Sequence, residues 1–195
     1  MRYLKILLIF SFFNLIAQSE NSLAEGPFSQ LIIRGATLIN GNGAPPIGPV
    51  DIVIENDKIT DIEVVGSPGV EIDESKRPKL NQGGKEINAL GMYILPGFID
   101  MHGHIGGEDQ GADWDYVFKL WLAHGITTIR EPSGRGVKYA VDLKKRSAKN
   151  EIIAPRIFAY TKFGQGSKKP ITTRIQAREW VRKNAKNGAD GIKFF

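Results

Sequence analysis

Between Tyr93 and Phe195, apolar runs of strand length alternate with amphipathic runs of helix length, and this alternation limits the chain to few folds. Tyr93 to Met101 reads as an apolar strand. Asp113 to His124 reads as a helix, with Val117, Phe118, Trp121 and Leu122 near helical spacing and Gly125 as its stop. Ile126 to Ile129 is a second strand, Val137 to Lys149 a second helix, and Arg156 to Tyr160 a third strand behind Pro155. Thr173 to Asn187 is a third helix: Thr173 and Gln176 have the spacing of a capping box, and Gly188 follows the last turn. Gly191 to Phe195 is a fourth strand. Strands joined through helices pair in parallel. A closed (β/α)8 barrel takes about 250 residues, and this region supplies about 100, so the expected fold class is α/β, a partial (β/α)8 TIM barrel holding its first four strands. The chain is then expected to be a fragment. The alternative is a small open α/β sheet.

The residues before this region follow a different period. Leu31 to Ile33 and Thr37 to Ile39 are short apolar runs broken by Gly35, and Asn40-Gly41-Asn42-Gly43 is a turn signal. From Val50 to Glu55 side chains alternate, Asn56-Asp57 turns the chain, and Lys58 to Val65 returns as a partner strand. Gly66 to Lys85 is rich in Pro, Gly and charge and reads as a surface loop. A small antiparallel β unit is therefore expected over residues 28–93. Further upstream, Arg2 and Lys5 precede an apolar run from Ile6 to Ile16, and small residues follow at Ala17, Ser19, Ser22 and Ala24. This is the layout of a secretory signal peptide over residues 1–24, with cleavage after Ser19 or Ala24. A membrane anchor is the alternative, but the run is shorter than the roughly 20 residues that a spanning helix needs. The expected location is periplasmic or secreted, with no stable membrane insertion after cleavage. There is no cysteine, hence no disulfide framework.

The net charge of +5 comes from scattered Lys and Arg. The one cluster, Lys144-Lys145-Arg146, falls in a helix and reads as a solvated face. Without aromatic interleaving or a known motif, nucleic acid is not an expected partner. Trp114, Trp121 and Trp180 read as core and helix-packing residues.

The chemistry concentrates in Leu95-Pro96-Gly97-Phe98-Ile99-Asp100-Met101-His102-Gly103-His104-Ile105-Gly106. Side chains alternate along a strand, so His102 and His104 point to one side at the strand's carboxyl end, where parallel barrels place their active sites. Two imidazoles on one side can share a metal ion, and the small Gly103 leaves room between them. Asp100 has the same parity and could orient a ligand histidine. A His-x-His pair alone is a weak signal; directly after an apolar strand that opens with Pro-Gly it is stronger.

These residues resemble the amidohydrolase superfamily, and the resemblance spans about residues 31–195. The family's first barrel strand carries Pro-Gly-Phe-Ile-Asp-x-His-x-His, which residues 96–104 match at every fixed position. Its second strand often reads Gly-[Val/Ile]-Thr-Thr-[Val/Ile]-Arg, as Gly125 to Arg130 do, and its fourth Gly-Ala-Asp-x-Ile-Lys, as Gly188 to Lys193 do. The subgroup most resembled is imidazolonepropionase-like and prolidase-like. The resemblance implies a β-sandwich part over 28–93 and the first half of the barrel over 94–195. It also implies one or two divalent ions, zinc in the first instance, held by His102, His104 and a carboxylated Lys193 that bridges two metals. Carbamate formation needs a neutral amine, which burial or nearby cations favour; a lysine snorkelling to the barrel rim is the bland alternative. The implied reaction is hydrolysis of a carbon–nitrogen bond in a small molecule, by hydroxide generated at the metal. The attacked atom is an amide-type carbonyl or an amidine-like carbon.

Family members complete the site with two later histidines and a general-base aspartate. No catalytic residue is therefore expected within this chain, which should be inactive alone. Arg130 and Glu131 end the second strand and could contact substrate or form a structural ion pair; the family often has Asp where Glu131 stands. Ser133-Gly134-Arg135-Gly136 is a loop near the mouth, too irregular for a phosphate cradle. His124 reads as structural, interacting with a helix C-terminus. Three rivals remain: an Xaa-Pro-type dipeptidase or deaminase on the same fold, a non-catalytic binding protein, and a truncated remnant. A homo-oligomer is left open.

Overall fold

Two sheets share one apolar run of sequence. The computed structural model describes residues 26–107, 111–132 and 134–194, so the signal-peptide segment lies outside the described residues. Among those described, no helix is long and apolar enough to cross a membrane.

The first sheet has five strands. β1 (Gln30–Leu38), β2 (Ile47–Glu55) and β3 (Lys58–Val64) are antiparallel neighbours, whereas β4 (Lys85–Asn88) and β5 (Tyr93–Ile94) both pair with β1 in parallel. The expected antiparallel unit is thus a mixed sheet. The segment between β3 and β4 crosses over to the far side of β1 and runs back in its direction. The expected break at Gly35 is also absent. β1 runs straight through it as an irregularity in pairing, with Gly35 at φ +73°, a backbone state open to glycine. A second, facing sheet is not seen among the described residues.

The stretch read as a surface loop is tied down. A 3-10 turn (Glu74–Lys76) delivers Arg77 to Asp51, which is fully buried on β2. Asp51 accepts hydrogen bonds from Arg77 Nε at 3.0 Å, Arg34 Nη1 at 2.9 Å and the Gly35 N–H at 2.8 Å. Burial opposes ionisation of Asp51, but the hydrogen bonds from Arg77, Arg34 and Gly35 outweigh it and hold the carboxyl below its ordinary range.

The second sheet is parallel, in the order β6 (Phe98–Asp100), β7 (Ile126–Glu131), β8 (Arg156–Lys162), β9 (Gly191–Lys193), and curls as half of a barrel. Helices α1 (Trp114–Ala123), α2 (Val137–Ala148) and α3 (Arg174–Lys186) connect its strands. The predicted strand Tyr93 to Met101 is split between the sheets. Tyr93–Ile94 joins the first and Phe98–Asp100 the second, because Pro96 has no N–H to give a ladder and Gly97 packs where a Cβ would overlap Thr127.

The helix-side core joins Phe118 of α1 and Ala140, Val141 and Leu143 of α2 to Ile129, Ile157 and Ala159 of β7 and β8. Phe118, Ile129 and Ala159 are completely buried. Trp114 and Trp121 flank this core, and Trp180 is buried on α3, where its Nε1 donates to the Gln165 carbonyl at 3.2 Å. The capping box of α3 is formed: Thr173 Oγ1 accepts the Gln176 N–H, and Gln176 Oε1 accepts the Thr173 N–H. The basic cluster of α2 is more than a solvated face. Lys144 Nζ sits 2.6 and 2.7 Å from the two carboxylate oxygens of Asp190, and Arg146 lies 5.0 Å over the Trp114 ring.

Candidate functional site

The βα connections 101–113, 132–136 and 163–173 all leave the carboxyl ends of the parallel strands. His102 and His104 lie in the first of them, just past β6, with exposed side chains. Their ring centroids are 5.2 Å apart at 67°. Two imidazoles on one tetrahedral ion, each with a metal–nitrogen bond of about 2.0–2.1 Å, need centroids roughly 5 Å apart. Lys193, at the carboxyl end of β9, brings Nζ to 3.4 Å from His102 Nε2. First and fourth strands thus meet at one point of the mouth. The residues fit part of a metal centre. Among the described residues no group of three or more His, Asp or Glu forms a fuller donor set.

Gly103 is buried between the two histidines, where a Cβ would stand 3.0 Å from the Trp121 ring. The residue between the two histidines is therefore small because α1 packs against it, as well as to leave room for the rings.

Asp100 does not orient a histidine ring. A pairing irregularity between Phe98 and Ile99 shifts β6, so that Asp100 stands in register with Ile129, whose side chain lies in the helix-side core. From there its Oδ1 accepts the His102 main-chain N–H at 2.8 Å. It fixes the backbone of the motif, whereas simple alternation placed it beside the rings.

Glu131 is the residue that reaches a ring. Its side chain is 2% exposed, and Oε1 lies 3.4 Å from His104 Nδ1. Oε2 accepts the Ile105 N–H at 2.6 Å and Oε1 the Gly134 N–H at 2.5 Å. One carboxylate therefore ties together the first two mouth loops. A proton on Nδ1 facing Glu131 leaves His104 Nε2 as the lone-pair donor.

Arg130, on the opposite face of β7, forms no ion pair with Glu131. Its Nε donates to the Met101 carbonyl at 2.6 Å, and its guanidinium lies 5.2 Å over the Tyr160 ring. Tyr160 and Lys162 were not visible as site residues in the sequence. β8 runs two residues beyond its expected end and places Lys162 in register with Lys193. The signal available was position alone, a polar pair two apart at the end of a barrel strand. His124 is structural: it ends α1, with Nδ1 2.8 Å from the Leu120 carbonyl.

No family model matches the chain. A curated protein, the 5-methylthioadenosine/S-adenosylhomocysteine deaminase of Caldicellulosiruptor saccharolyticus, is 40% identical over 111 residues, which are 56% of this chain and 24% of that protein. Among solved structures, molinate hydrolase superposes with a TM-score of 0.63 at 21% identity, covering 86% of this chain and 45% of its own. Phenylurea hydrolase B gives 0.63 at 16% identity, with 85% and 45% covered. A Xaa-Pro dipeptidase with methionine in its active site gives 0.57 at 23% identity, with 85% and 47% covered. The chain thus spans about a quarter of the curated relative and under half of these solved structures. The chain shares the fold of these hydrolases over the part of their length that it spans, and its sequence is similar to that of the deaminase over 111 residues.

Proposed function

We propose that this chain contributes the first part of the active site of a metal-dependent hydrolase acting on carbon–nitrogen bonds in small molecules. The observation that carries the reading is the meeting of His102, His104 and Lys193 at one edge of the parallel sheet. His102 and His104 would hold a divalent ion, zinc in the first instance, and a carboxylated Lys193 would supply a further ligand for one or two ions. Bound there, the ion supplies Lewis acidity that makes water a nucleophile near neutral pH. The chain's own residues do the positioning. Glu131 fixes the loop and ring of His104, Asp100 the backbone of His102, and Gly103 lets the pair approach Trp121.

The remaining ligands and the general base come from outside this set of residues, so the chain alone is inactive and activity belongs to the longer protein. Residues 1–24 direct export, and the protein works in the periplasm or outside the cell; N-terminal sequencing of the mature protein that returned Met1 would refute export with cleavage. A second reading on the same fold is a deaminase, favoured by the relative that is 40% identical over 111 residues.

The test is metal analysis and turnover of the full-length protein. Stoichiometric zinc, lost in His102→Ala and His104→Ala, together with chelator-sensitive hydrolysis of amide substrates, supports the reading. Release of ammonia from aminopurine nucleosides, with no amide cleavage, favours the deaminase. A protein that holds no divalent metal refutes both.

A further inference from the structure

The chain holds three Asn-Gly pairs, at residues 40–41, 42–43 and 187–188. An asparagine side chain carries an electrophilic amide carbon, and the backbone nitrogen of the next residue is the nearest nucleophile. With glycine next, no Cβ blocks the approach. The three pairs stand in unlike surroundings. The first two lie in the connection between β1 and β2, where residues 40–47 are all exposed. The third ends α3.

The loop folds each of its two asparagines for attack. Asn40 Oδ1 accepts the Asn42 N–H at 3.1 Å, and Asn42 Oδ1 accepts the Ala44 N–H at 2.8 Å. Each bond closes a ring of atoms that runs from the side-chain carbonyl through the nitrogen of the following glycine. Amide carbon and nucleophile are thereby held on the same side of the chain. The same N–H stabilises the negative charge that Oδ1 takes up when nitrogen adds to its carbon. Among the described residues, the Gly41 and Gly43 N–H groups donate no hydrogen bond. Gly43 stands in open space, with nothing within 4 Å of a Cβ position, whereas a Cβ at Gly41 would lie 3.9 Å from Pro96 Cγ. Ile39, next to Asn40, is laced to β5 through the Ile94 carbonyl at 2.9 Å. Asn42 is the freer of the two.

Asn187 is held the other way. Its N–H donates to the Lys183 carbonyl at 3.0 Å, and the Gly188 N–H, the nucleophile there, donates to the Ala185 carbonyl at 2.9 Å. Attack at Asn187 requires the end of α3 to open first.

We propose that Asn42, and after it Asn40, is a site of intramolecular deamidation promoted by the folded loop. The Gly43 nitrogen adds to Asn42 Cγ and forms a carbon–nitrogen bond. The Cγ–Nδ2 bond breaks, and the Gly43 amide proton leaves with Nδ2 as ammonia. Water then opens the cyclic imide at either carbonyl, which gives aspartate or isoaspartate. Holding both reactants in one ring supplies the proximity. Each event turns a neutral amide into a carboxylate. The isoaspartate form also adds a methylene to the main chain, in a loop that borders the strand change at Pro96.

The test is peptide mapping by mass spectrometry of the full-length protein after incubation at mildly alkaline pH, against a free reference peptide of residues 36–48. Conversion at Asn42 should be at least as fast in the folded protein as in the peptide, with isoaspartate among the products. It should be about tenfold faster than at Asn187. Ala44→Pro removes the N–H that Asn42 Oδ1 accepts and should slow conversion at Asn42 about three- to tenfold. The loop is exposed, so this variant folds, and an unchanged urea midpoint reports it. Slower conversion at Asn42 in the folded protein than in the peptide overturns the proposal. So does equal conversion at Asn42 and Asn187, or an Ala44→Pro variant that converts as fast as the parent.

Discussion

Replacing Glu131 by Gln isolates the carboxylate that joins the first two mouth loops. The side chain is 2% exposed and accepts N–H groups from Ile105 at 2.6 Å and Gly134 at 2.5 Å. Hydrogen bonds to a charged group contribute about 1.5–3 kcal/mol each. Gln keeps one acceptor oxygen and turns its NH2 toward the other backbone N–H, so one bond is lost outright and the other becomes neutral. The expected cost is about 3 kcal/mol, read by urea unfolding at neutral pH. His104 loses its carboxylate neighbour in the same change, so zinc affinity should fall about 10- to 100-fold. A variant within about 0.5 kcal/mol of the parent, with unaltered zinc affinity, would refute the role given to Glu131.

Asp51→Asn breaks the buried pairing with Arg34 and Arg77 and should cost about 3–5 kcal/mol in chemical denaturation. Because the folded carboxyl titrates below its ordinary range, its contribution is present above about pH 4 and lost as pH falls through the lower, folded value. Acid unfolding should therefore be less steep in the Asn variant, and identical acid profiles would contradict the assignment. Gly97→Ala sets a Cβ against Thr127 and should destabilise by about 1–3 kcal/mol, seen as a lowered thermal midpoint. Lys144→Met should cost only about 1 kcal/mol, since both partners are partly exposed. Asp190→Ala should cost more, because Asp190 Oδ2 also accepts the Ala159 N–H at 2.8 Å, and hydrogen exchange at that amide should quicken.

The βα half was legible because its periods are strong. Phe118, Trp121 and the Thr173–Gln176 box each act within one helix, where local spacing decides the outcome. The His-x-His pair was legible for the same reason, since both residues follow one strand. What was not legible depended on partners distant in sequence. The parallel pairing of β4 and β5 with β1 gives no local signal. The apolar run from Tyr93 hid a change of sheet at Pro96-Gly97, which only Thr127 explains. Asp100 obeyed register with β7 over its own parity. Glu131 was visible as a strand-end acid, but its hold on Ile105 and Gly134 required the fold of both loops.

The change of sheet at Pro96-Gly97 also works as a short tether. Ile94 is laced to β1 and Phe98 to β7, with three residues between them and a rigid ring among the three. The histidines begin two positions beyond β6, so the point at which β6 joins β7 sets where they stand. Glycine residues inserted after Leu95 should leave both sheets folded yet loosen the coupling between them, so that hydrogen exchange at the Phe98 amide quickens. The first sheet would then serve as the anchor that fixes where the strand leading to His102 and His104 begins.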